Sequence, residues 1–388
     1  MAVGIFRLPV SASSELSTGY RVRFIGWDGT IIKTQYVSSG AAATAPTAPT
    51  IPLLTFSAWN NTFTNVTGNL DVGATYTTTS GRSYLFIFVN ANTGLSPTIY
   101  LNKATTALMT VYWGDGNTST SSSSGNININ HTYAIAGNYT IEIECSGGYG
   151  FGNGSSLTTI FSNGNYSYIL YKVLIGSGVT SINSMSFYSN FSLRYILIPP
   201  GVTSLTPQSF SYCVSFQYCI IPLTVTSIPD SAFYPCLSLR IISISSSVTS
   251  ISEYAISGSY NLRSAILPPG LTALNGWILS DNPALEDINV PPGVISIGSA
   301  VFKGTKLSSV LIPSTVSSLG NYLFWGCSTI LDYQFLSATP PTMADTNVFN
   351  GINLAAKIYV PDASVSAYKT ATNWATYANY IYPLSTRP

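Results

Sequence analysis

A short apolar phrase recurs along the middle of the chain: Val or Leu, two small residues, then Ile or Leu. Successive copies are 23 residues apart, except for a last step of 22. Such a period is typical of a solenoid, in which each unit is too small to bury a core alone and stacks on its neighbours. The sequence therefore predicts a stacked, β-rich scaffold. The copies begin at Val179, Val202, Val225, Val248, Leu271, Val294 and Val316, with a weaker one at Leu157 that puts Ile160 in the second apolar position.

Each repeat continues with apolar residues at positions i, i+3 and i+5. The alternation at the end of this phrase predicts a short strand with one buried face. Stacking would place these strands about 4.8 Å apart in a parallel sheet. A proline after most of them, such as Pro222, ends the pairing because it has no N–H to donate. The predicted strands lie near residues 193–198, 216–221, 239–244, 262–267, 285–290 and 307–312.

Phenylalanine recurs at one position between the two phrases, which predicts a stacked aromatic column on the wall opposite the strands. Cys213, Cys236 and Cys327 each follow that position by three residues. Cys213 and Cys236 lie in adjacent repeats, within disulfide range, but cysteine also suits a core as a free thiol. Five cysteines imply no closed set of disulfides, so we expect free thiols. The column comprises Phe187, Phe210, Phe233, Phe302 and Phe324.

The repeat unit, of the form V-T-S-I…F…C…L-x-x-I-x-I-P, resembles the BspA-type leucine-rich repeat of bacterial surface proteins over roughly residues 155–340. The resemblance implies a leucine-rich-repeat solenoid. The closing stretch, residues 358–374, resembles the terminal unit of such proteins, and a different outer face there would keep the open end from aggregating. Asp362 is predicted to cap a short helix that starts near Ala363.

Two phrases before the solenoid, Trp113-Gly-Asp-Gly116 and His131-Thr-Tyr133 with Gly137-Asn-Tyr-Thr140, resemble the PKD domain. The resemblance implies an immunoglobulin-like β-sandwich in which the histidine is structural. Asp115 lies in a glycine turn. It either caps that turn, which we favour, or contributes to a Ca²⁺ site, which would need six or more oxygens.

The segment from Arg21 to Tyr76 resembles the Listeria–Bacteroides repeat, a β-grasp-like module of secreted proteins. Its markers include Trp27-Asp-Gly-Thr30 and Phe56-Ser-Ala-Trp59, and the first of these, between two apolar runs, is also a hairpin signal. The chain is thus predicted to be mainly β, with three folded units in line. The predicted divisions are an arm (1–20), the β-grasp-like module (21–79), the immunoglobulin-like domain (80–148), the solenoid (149–340) and a helical cap (341–388).

The composition of the chain argues against several classes of function. Only 7% of the residues are charged and the formal net charge is +1. Nucleic-acid binding needs a clustered basic surface, so this composition argues against it. No apolar run reaches the length of a membrane helix. His131 is the one histidine, and no His, Cys or carboxylate grouping has metal-ligand spacing. We therefore expect no enzyme activity, cofactor, metal site or membrane insertion.

The strand residues that alternate with the buried ones should face outward and form a stripe of aromatic and aliphatic side chains. Such a stripe suits a protein partner or the faces of sugar rings. Alternatively, it packs against a neighbouring domain or subunit, and the sequence leaves the two open. The candidate binding residues are Tyr195, Leu197, Tyr218, Ile220, Ile241, Ile266, Asp287 and Asn289.

These observations predict a non-enzymatic binding protein on an exterior surface. Modules of extracellular type on a chain that opens with Met1 and no export signal favour a phage virion protein, either a decoration or a fibre. The N-terminal part would then contact other virion proteins, and the solenoid a host surface protein or glycan. The alternative is a bacterial cell-surface adhesin. Homo-oligomer formation stays open.

Overall fold

Short strands joined by turns and loops form the framework of the described part of the chain. A computed structural model describes residues 19–90, 95–152, 160–161 and 169–388. The predicted arm up to residue 18 and the first part of the weak repeat at Leu157 lie outside these residues. The fold is mainly β, with a solenoid of stacked coils and a short α-helix, Val365–Thr370, near the C-terminus. The predicted fold class is confirmed.

The first unit, residues 19–79, is a four-stranded sheet that we call the N-terminal module. Its strand order is β2-β1-β4-β3, with β1 antiparallel to β2 and parallel to β4. The hairpin between β1 and β2 turns at Gly29, whose φ of 81° is easily reached only by glycine. Val22, Phe24 and Val72 form its small core. The strands are β1 (Gly19–Ile25), β2 (Ile31–Ser38), β3 (Leu54–Trp59) and β4 (Leu70–Thr78).

The second unit is a two-sheet sandwich. One sheet contains β5, β10, β7 and β8, and the other contains β11, β6 and β9. Trp113, Tyr133 and Ile141 are buried in the core that the two sheets share. The strands are β5 (Ser83–Val89), β6 (Thr98–Lys103), β7 (Met109–Tyr112), β8 (Thr118–Ser121), β9 (Gly125–Asn130), β10 (Gly137–Cys145) and β11 (Tyr149–Phe151).

The sandwich and the solenoid are continuous. Strand β12 (Leu170–Leu174) pairs with β5 of the sandwich on one side and with the first repeat strand on the other. On the opposite wall, β11 pairs with β13 (Val179–Ile182), the first V-T-S-I phrase. One hydrophobic core runs from the sandwich through the coils. The sandwich therefore closes the N-terminal end of the solenoid.

The six predicted strands are confirmed as short parallel strands. Register pairs join equivalent residues of adjacent coils, for example Tyr218 with Ile241 and Ser264 with Asp287. They are β14 (Tyr195–Leu197), β16 (Tyr218–Ile220), β18 (Ile241–Ser243), β20 (Ser264–Ile266), β22 (Asp287–Asn289) and β24 (Ser309–Ile312). Together they form one wall of the coils, which we call the front sheet, although the hydrogen bonding that joins β14 to β22 is interrupted before β24. The V-T-S-I phrases form the second wall as β15 (Ser204–Leu205), β17 (Ser227–Ile228), β19 (Ser250–Ile251), β21 (Ala273–Leu274), β23 (Ser296–Ile297), β25 (Ser318–Leu319) and β27 (Thr342–Met343).

The aromatic column is also confirmed. Phe187, Phe210 and Phe233 stack at centroid distances of 5.4 and 5.2 Å with nearly parallel rings. Phe302 and Phe324 stack at 5.5 Å. In the coils between, Ile256 and Leu279 are fully buried in the same core. A phenylalanine, isoleucine or leucine side chain thus fills the interior at this position in each of these coils.

The C-terminal end is closed by β26 (Asp332–Phe335), β28 (Lys357–Val360) and β29 (Ile381–Pro383), which continue the front sheet from β24. The α-helix Val365–Thr370 confirms the predicted short helix. The predicted cap by Asp362 is wrong: its carboxylate accepts from the Ser385 N–H at 3.0 Å and so fastens the chain end instead.

The predicted arrangement of three units in line is wrong for the N-terminal module. Strand β4 lies against β16 and β18, so the module lies across the front sheet of the solenoid. Ala74 and Tyr76 of β4 share a hydrophobic cluster with Leu174 and Leu197 of the solenoid. Burial of these apolar side chains holds the module against the coils and prevents it from forming a separate stalk.

Candidate functional site

Two adjacent asparagines anchor the module to the solenoid. The Asn60 amide is fully buried and donates to the Ile221 and Ser243 carbonyl oxygens at 3.0 and 3.1 Å. The Asn61 amide donates to the Ile244 carbonyl at 3.0 Å. Because a buried carbonyl without a partner costs about 1–3 kcal/mol, these amides stabilise the docked position.

Two glycines allow the module to approach closely. A Cβ atom on Gly29 would lie 1.8 Å from the Tyr218 ring, and one on Gly73 would lie 2.6 Å from Ile220 Cγ2. Neither position has room for a side chain. The surfaces of the module and the front sheet are therefore complementary in shape.

Charged side chains complete the interface. Arg21 forms an ion pair with Asp287 at 2.5 Å, and Arg23 forms a two-pronged pair with Asp71 at 2.7 and 2.6 Å. Burial alone would lower the pKa of Arg23, but the hydrogen bond and charge of Asp71 outweigh it and raise that pKa. A hydrogen bond from Arg23 also reaches the Ser264 hydroxyl at 3.3 Å. The module and the coils are thus joined by charge as well as by shape.

The structure places most of the predicted binding stripe beneath the module. Leu197, Ile220 and Ile266 are buried, with exposed fractions of 3%, 8% and 8%. Tyr195 and Tyr218 are half-buried beside Trp27 and Gly29. This arrangement matches the second of the two interpretations, packing on a neighbouring domain. Ligand binding by the stripe stays a prediction.

The remaining three stripe residues lie at the module's margins. Asp287 is engaged by Arg21, and the Asn289 amide bonds the backbone of Leu267 at 2.8 and 3.1 Å. Ile241 lines a crevice beside β2. These three residues are half-buried, and Asn289 and Ile241 line openings along the edge of the module.

Two openings lie along that edge. The first is a cleft of about 210 Å³ between the loop of residues 61–71 and the turns that follow β18, β20 and β22, lined by Ile266, Asn289 and several prolines. The second is a crevice of about 500 Å³ lined by Arg23, Gly29, Ile31, Tyr218, Arg240, Ile241, Asn261, Arg263 and Ser264. The second contains no carboxylate among its lining residues.

Three exposed arginines form a row beside this crevice. Arg194, Arg240 and Arg263 occupy equivalent positions of different coils, with Gln217 between the first two. The Gln217 N–H bonds the Arg194 carbonyl at 3.1 Å and the Arg240 N–H bonds the Gln217 carbonyl at 2.9 Å, which keeps the row in register. Among the described arginines, these three have no carboxylate within 4.0 Å, whereas the other four each pair with at least one.

A second row, of aromatic side chains, lies beside the phenylalanine position in successive coils of the solenoid. Tyr254 stacks on Trp277 at 5.6 Å, and Lys303 lies between Trp277 and Trp325 at 5.2 and 5.3 Å from their rings. Tyr254 and Trp277 have φ values of 55° and 62°, which bulky residues seldom adopt. Sequence reasoning missed this row, although an aromatic residue beside the phenylalanine position in several repeats signals it. The row comprises Tyr188, Tyr212, Tyr234, Tyr254 and Trp277.

Nucleophilic groups are held inactive. Cys213, Cys236 and Cys327 are free thiols, as expected, and each bonds a backbone carbonyl of the preceding coil. Burial raises the pKa values of all three thiols, so they stay protonated at neutral pH. They act as core residues.

His131 and Asp115 belong to the sandwich. The His131 Nε2 atom lies 2.7 Å from the Asp115 carboxylate, and the imidazole stacks on Trp113. Asp115 also accepts from the Asn117 N–H at 3.0 Å. Burial opposes the charge on Asp115, but the hydrogen bonds from Asn117 and His131 lower its pKa overall. Both carboxylate oxygens thus cap the turn, which is the role that we favoured from the sequence.

The described ranges contain neither a cluster of metal ligands nor a membrane-spanning helix. No cluster of three or more His, Cys, Asp or Glu side chains there has a geometry that would hold a metal ion. No helix in the same residues is long and apolar enough to span a bilayer.

Comparison with solved structures finds other leucine-rich-repeat proteins. One from Bacteroides ovatus is 22% identical, with a TM-score of 0.43, over 49% of this chain and 55% of that one. The chain thus spans little more than half the length of this relative. A leucine-rich-repeat protein of T. pallidum is 23% identical, with a TM-score of 0.31, over 41% of this chain and 64% of that one.

A structure described as a leucine rich cell surface protein from Faecalibacterium prausnitzii is 18% identical, with a TM-score of 0.25, over 54% of this chain and 83% of that one. No curated protein matches the chain.

The family comparison is more extensive. The profile of the BspA type leucine rich repeat region matches in six copies, over residues 122–213, 158–285 and 203–331. These matches together take in more than half of the chain and the coils described above. The chain belongs to the BspA type leucine rich repeat family.

Proposed function

We propose that this protein is a non-enzymatic, adhesion-like binding protein of an exterior surface. The observation that carries the proposal is the row of Arg194, Arg240 and Arg263, exposed charges without a carboxylate partner on equivalent positions of a rigid solenoid. In a chain with 7% charged residues, a binding role accounts for such a row better than a structural role does.

The coils supply rigidity. One continuous core fills them, so exposed side chains are held at regular spacing before any ligand arrives. Preorganisation of this kind reduces the entropy cost of binding. Many copies on one particle or cell would multiply a modest affinity for each contact.

A catalytic role has little support. The buried thiols are protonated, and His131 is engaged by Asp115 and Trp113. The proposed activity is therefore recognition of a partner, either a host surface protein or a glycan.

Two settings are compatible with this role. Our leading proposal is a phage virion, in which the protein is a head or tail decoration or a fibre and touches other virion proteins through its N-terminal part. The second is a bacterial cell surface. The scarcity of charge and the β-rich fold support an exterior location and are compatible with both settings.

Mass spectrometry of purified phage particles and of outer-surface fractions from uninfected bacteria tests the setting. Peptides of this chain in particles support the virion proposal. Peptides only in the surface fraction of uninfected cells contradict it. Binding of the purified protein to whole host cells, measured by sedimentation, tests the role itself, and a protein that stays in the supernatant would contradict adhesion.

A further inference from the structure

We propose that the crevice beneath Arg240 and Arg263 binds the carboxylate of an acidic sugar. The inference rests on the proposed binding function and assigns its ligand class and place. We call this opening the arginine crevice; it is the 500 Å³ crevice lined by Arg23, Tyr218, Arg240, Ile241 and Arg263 together with Gly29, Ile31, Asn261 and Ser264.

The crevice has an uncompensated positive charge. Arg240 and Arg263 come from adjacent coils, are exposed and have no carboxylate within 4.0 Å. Arg23 also lines the crevice, but its charge is already neutralised by Asp71, so it contributes shape rather than free charge. Glu286 follows on the next coil but lies outside the lining. A cleft lined by one sign of charge concentrates ligands of the opposite sign, so the occupant should be an anion.

The guanidinium group favours a carboxylate. Its planar fork donates two parallel hydrogen bonds to the two oxygens of such an anion, which gives both energy and orientation. Adjacent coils of a sheet lie about 4.8 Å apart. Arg240 and Arg263 are therefore close enough to approach one carboxylate together.

The rest of the lining suits a sugar ring. Tyr218, Ile31 and Ile241 offer apolar contacts for the C–H face of a pyranose. The Asn261 amide donates to the Leu237 carbonyl and the Ser264 hydroxyl accepts from Arg23, which leaves the Asn261 amide oxygen as an acceptor and the Ser264 hydroxyl as a donor for sugar hydroxyls. A volume of about 500 Å³ is within the range of small-molecule sites. An apolar wall with a few polar groups and a charge at one side matches an acidic monosaccharide unit of a glycan.

The site requires the docked module. Gly29, Ile31 and Arg23 come from the N-terminal module, and the other lining residues come from the coils. The module therefore completes the crevice in addition to covering the stripe. The arginine row on the solenoid and the edge of the module therefore contribute to one site.

The test is calorimetric titration of the full chain with oligogalacturonate and with its methyl ester, which has the same sugar rings without the charge. We expect the acid to bind and the ester to bind at least about tenfold more weakly, since a charge-assisted hydrogen bond is lost. Added salt should weaken binding of the acid. Equal binding of acid and ester, or no binding of the acid, overturns the proposal.

Variants locate the site. The double variant R240Q/R263Q should reduce affinity for the acid by about tenfold or more. K306Q/K369Q, which removes two exposed positive charges outside the crevice, is the matched control and should bind like the unaltered protein. All four side chains are exposed, so melting temperatures should not change. R240K/R263K, which keeps the charge but not the fork, should bind with intermediate affinity.

Three further outcomes distinguish failure of the sugar assignment, of the crevice inference and of the adhesion proposal. Polyglutamate that binds as tightly as oligogalacturonate would overturn the sugar assignment. If R240Q/R263Q still sediments with host cells like the unaltered protein, the crevice inference fails while the adhesion proposal stands. If the unaltered protein binds the acidic sugar but does not sediment with cells, the adhesion proposal fails and the crevice stands.

Discussion

The front sheet differs sharply between its middle and its C-terminal coils, although both follow the same repeat. In the middle, Ile220 of β16 is 8% exposed because β4 of the N-terminal module lies over it. In β24, Leu311 occupies the equivalent position and is 45% exposed. An outward aliphatic residue on a strand is thus core in one coil and surface in another, and the difference comes entirely from a segment more than 100 residues away in the chain.

The largest predicted effect is on the core that both regions share. Phe233→Ala removes a ring that stacks on Phe210 at 5.2 Å, and we expect it to lower the free energy of unfolding by about 3–5 kcal/mol. Chemical denaturation monitored by circular dichroism measures this. An unchanged melting temperature would contradict a stabilising role of the aromatic column.

The next effect tests the comparison directly. Ile220→Ala should cost about 2–4 kcal/mol because it opens a cavity under the module. Leu311→Ala, at the equivalent exposed position, should change stability by less than about 0.5 kcal/mol. Both are read from urea midpoints. Equal losses in the two variants would mean that the module does not cover β16 in solution.

A glycine substitution should undock the module while leaving the coils intact. Gly73→Val places a side chain against Ile220, and the overpacking should cost about 1–3 kcal/mol. Hydrogen exchange should then accelerate in the part of β4 that faces the solenoid. Gly68→Val is the matched control, because no atom lies within 4 Å of a Cβ there. If both variants exchange alike, the docked interface is incorrect.

The smallest effect lies in the sandwich, away from the front sheet. The pKa of Asp115 is lowered in the folded state, so its stabilisation is fully present above the ordinary value of 3.8 and is lost as the pH falls through the lower folded-state value. Asp115→Asn should be less stable than the unaltered protein at neutral pH, and the gap should narrow in acid. Thermal melts between pH 7 and pH 2 measure this. A gap independent of pH would exclude the carboxylate charge as its cause.

The coils were predictable because their determinants are local and repeated. The apolar positions of one repeat specify a strand, a turn and a phenylalanine, and the next repeat supplies the same pattern one coil away. This accounts for the correct positions of the six strands of the front sheet and of Phe187 and Phe210. The hairpin at Gly29 was predictable for the same reason, since turn chemistry depends on a few adjacent residues.

The contacts between distant segments were not predictable. Nothing local to Asn60 indicates that its amide will bond Ser243, and nothing local to Arg21 indicates Asp287. Asp362 was assigned to a helix because its nearest neighbours suggested one, whereas its actual partner, Ser385, arrives from 23 residues further along the chain.

The sequence by itself determined that this protein is a mainly β chain with a core of stacked repeats. Periodicity determines these properties because burial of an apolar face needs only the pattern of the repeat and an identical neighbour. The tertiary structure decided which part of the front sheet is covered, which arginines are neutralised and where the arginine crevice opens. Those outcomes depend on shape and charge matching between the N-terminal module and particular coils, and such matching exists only after both have folded.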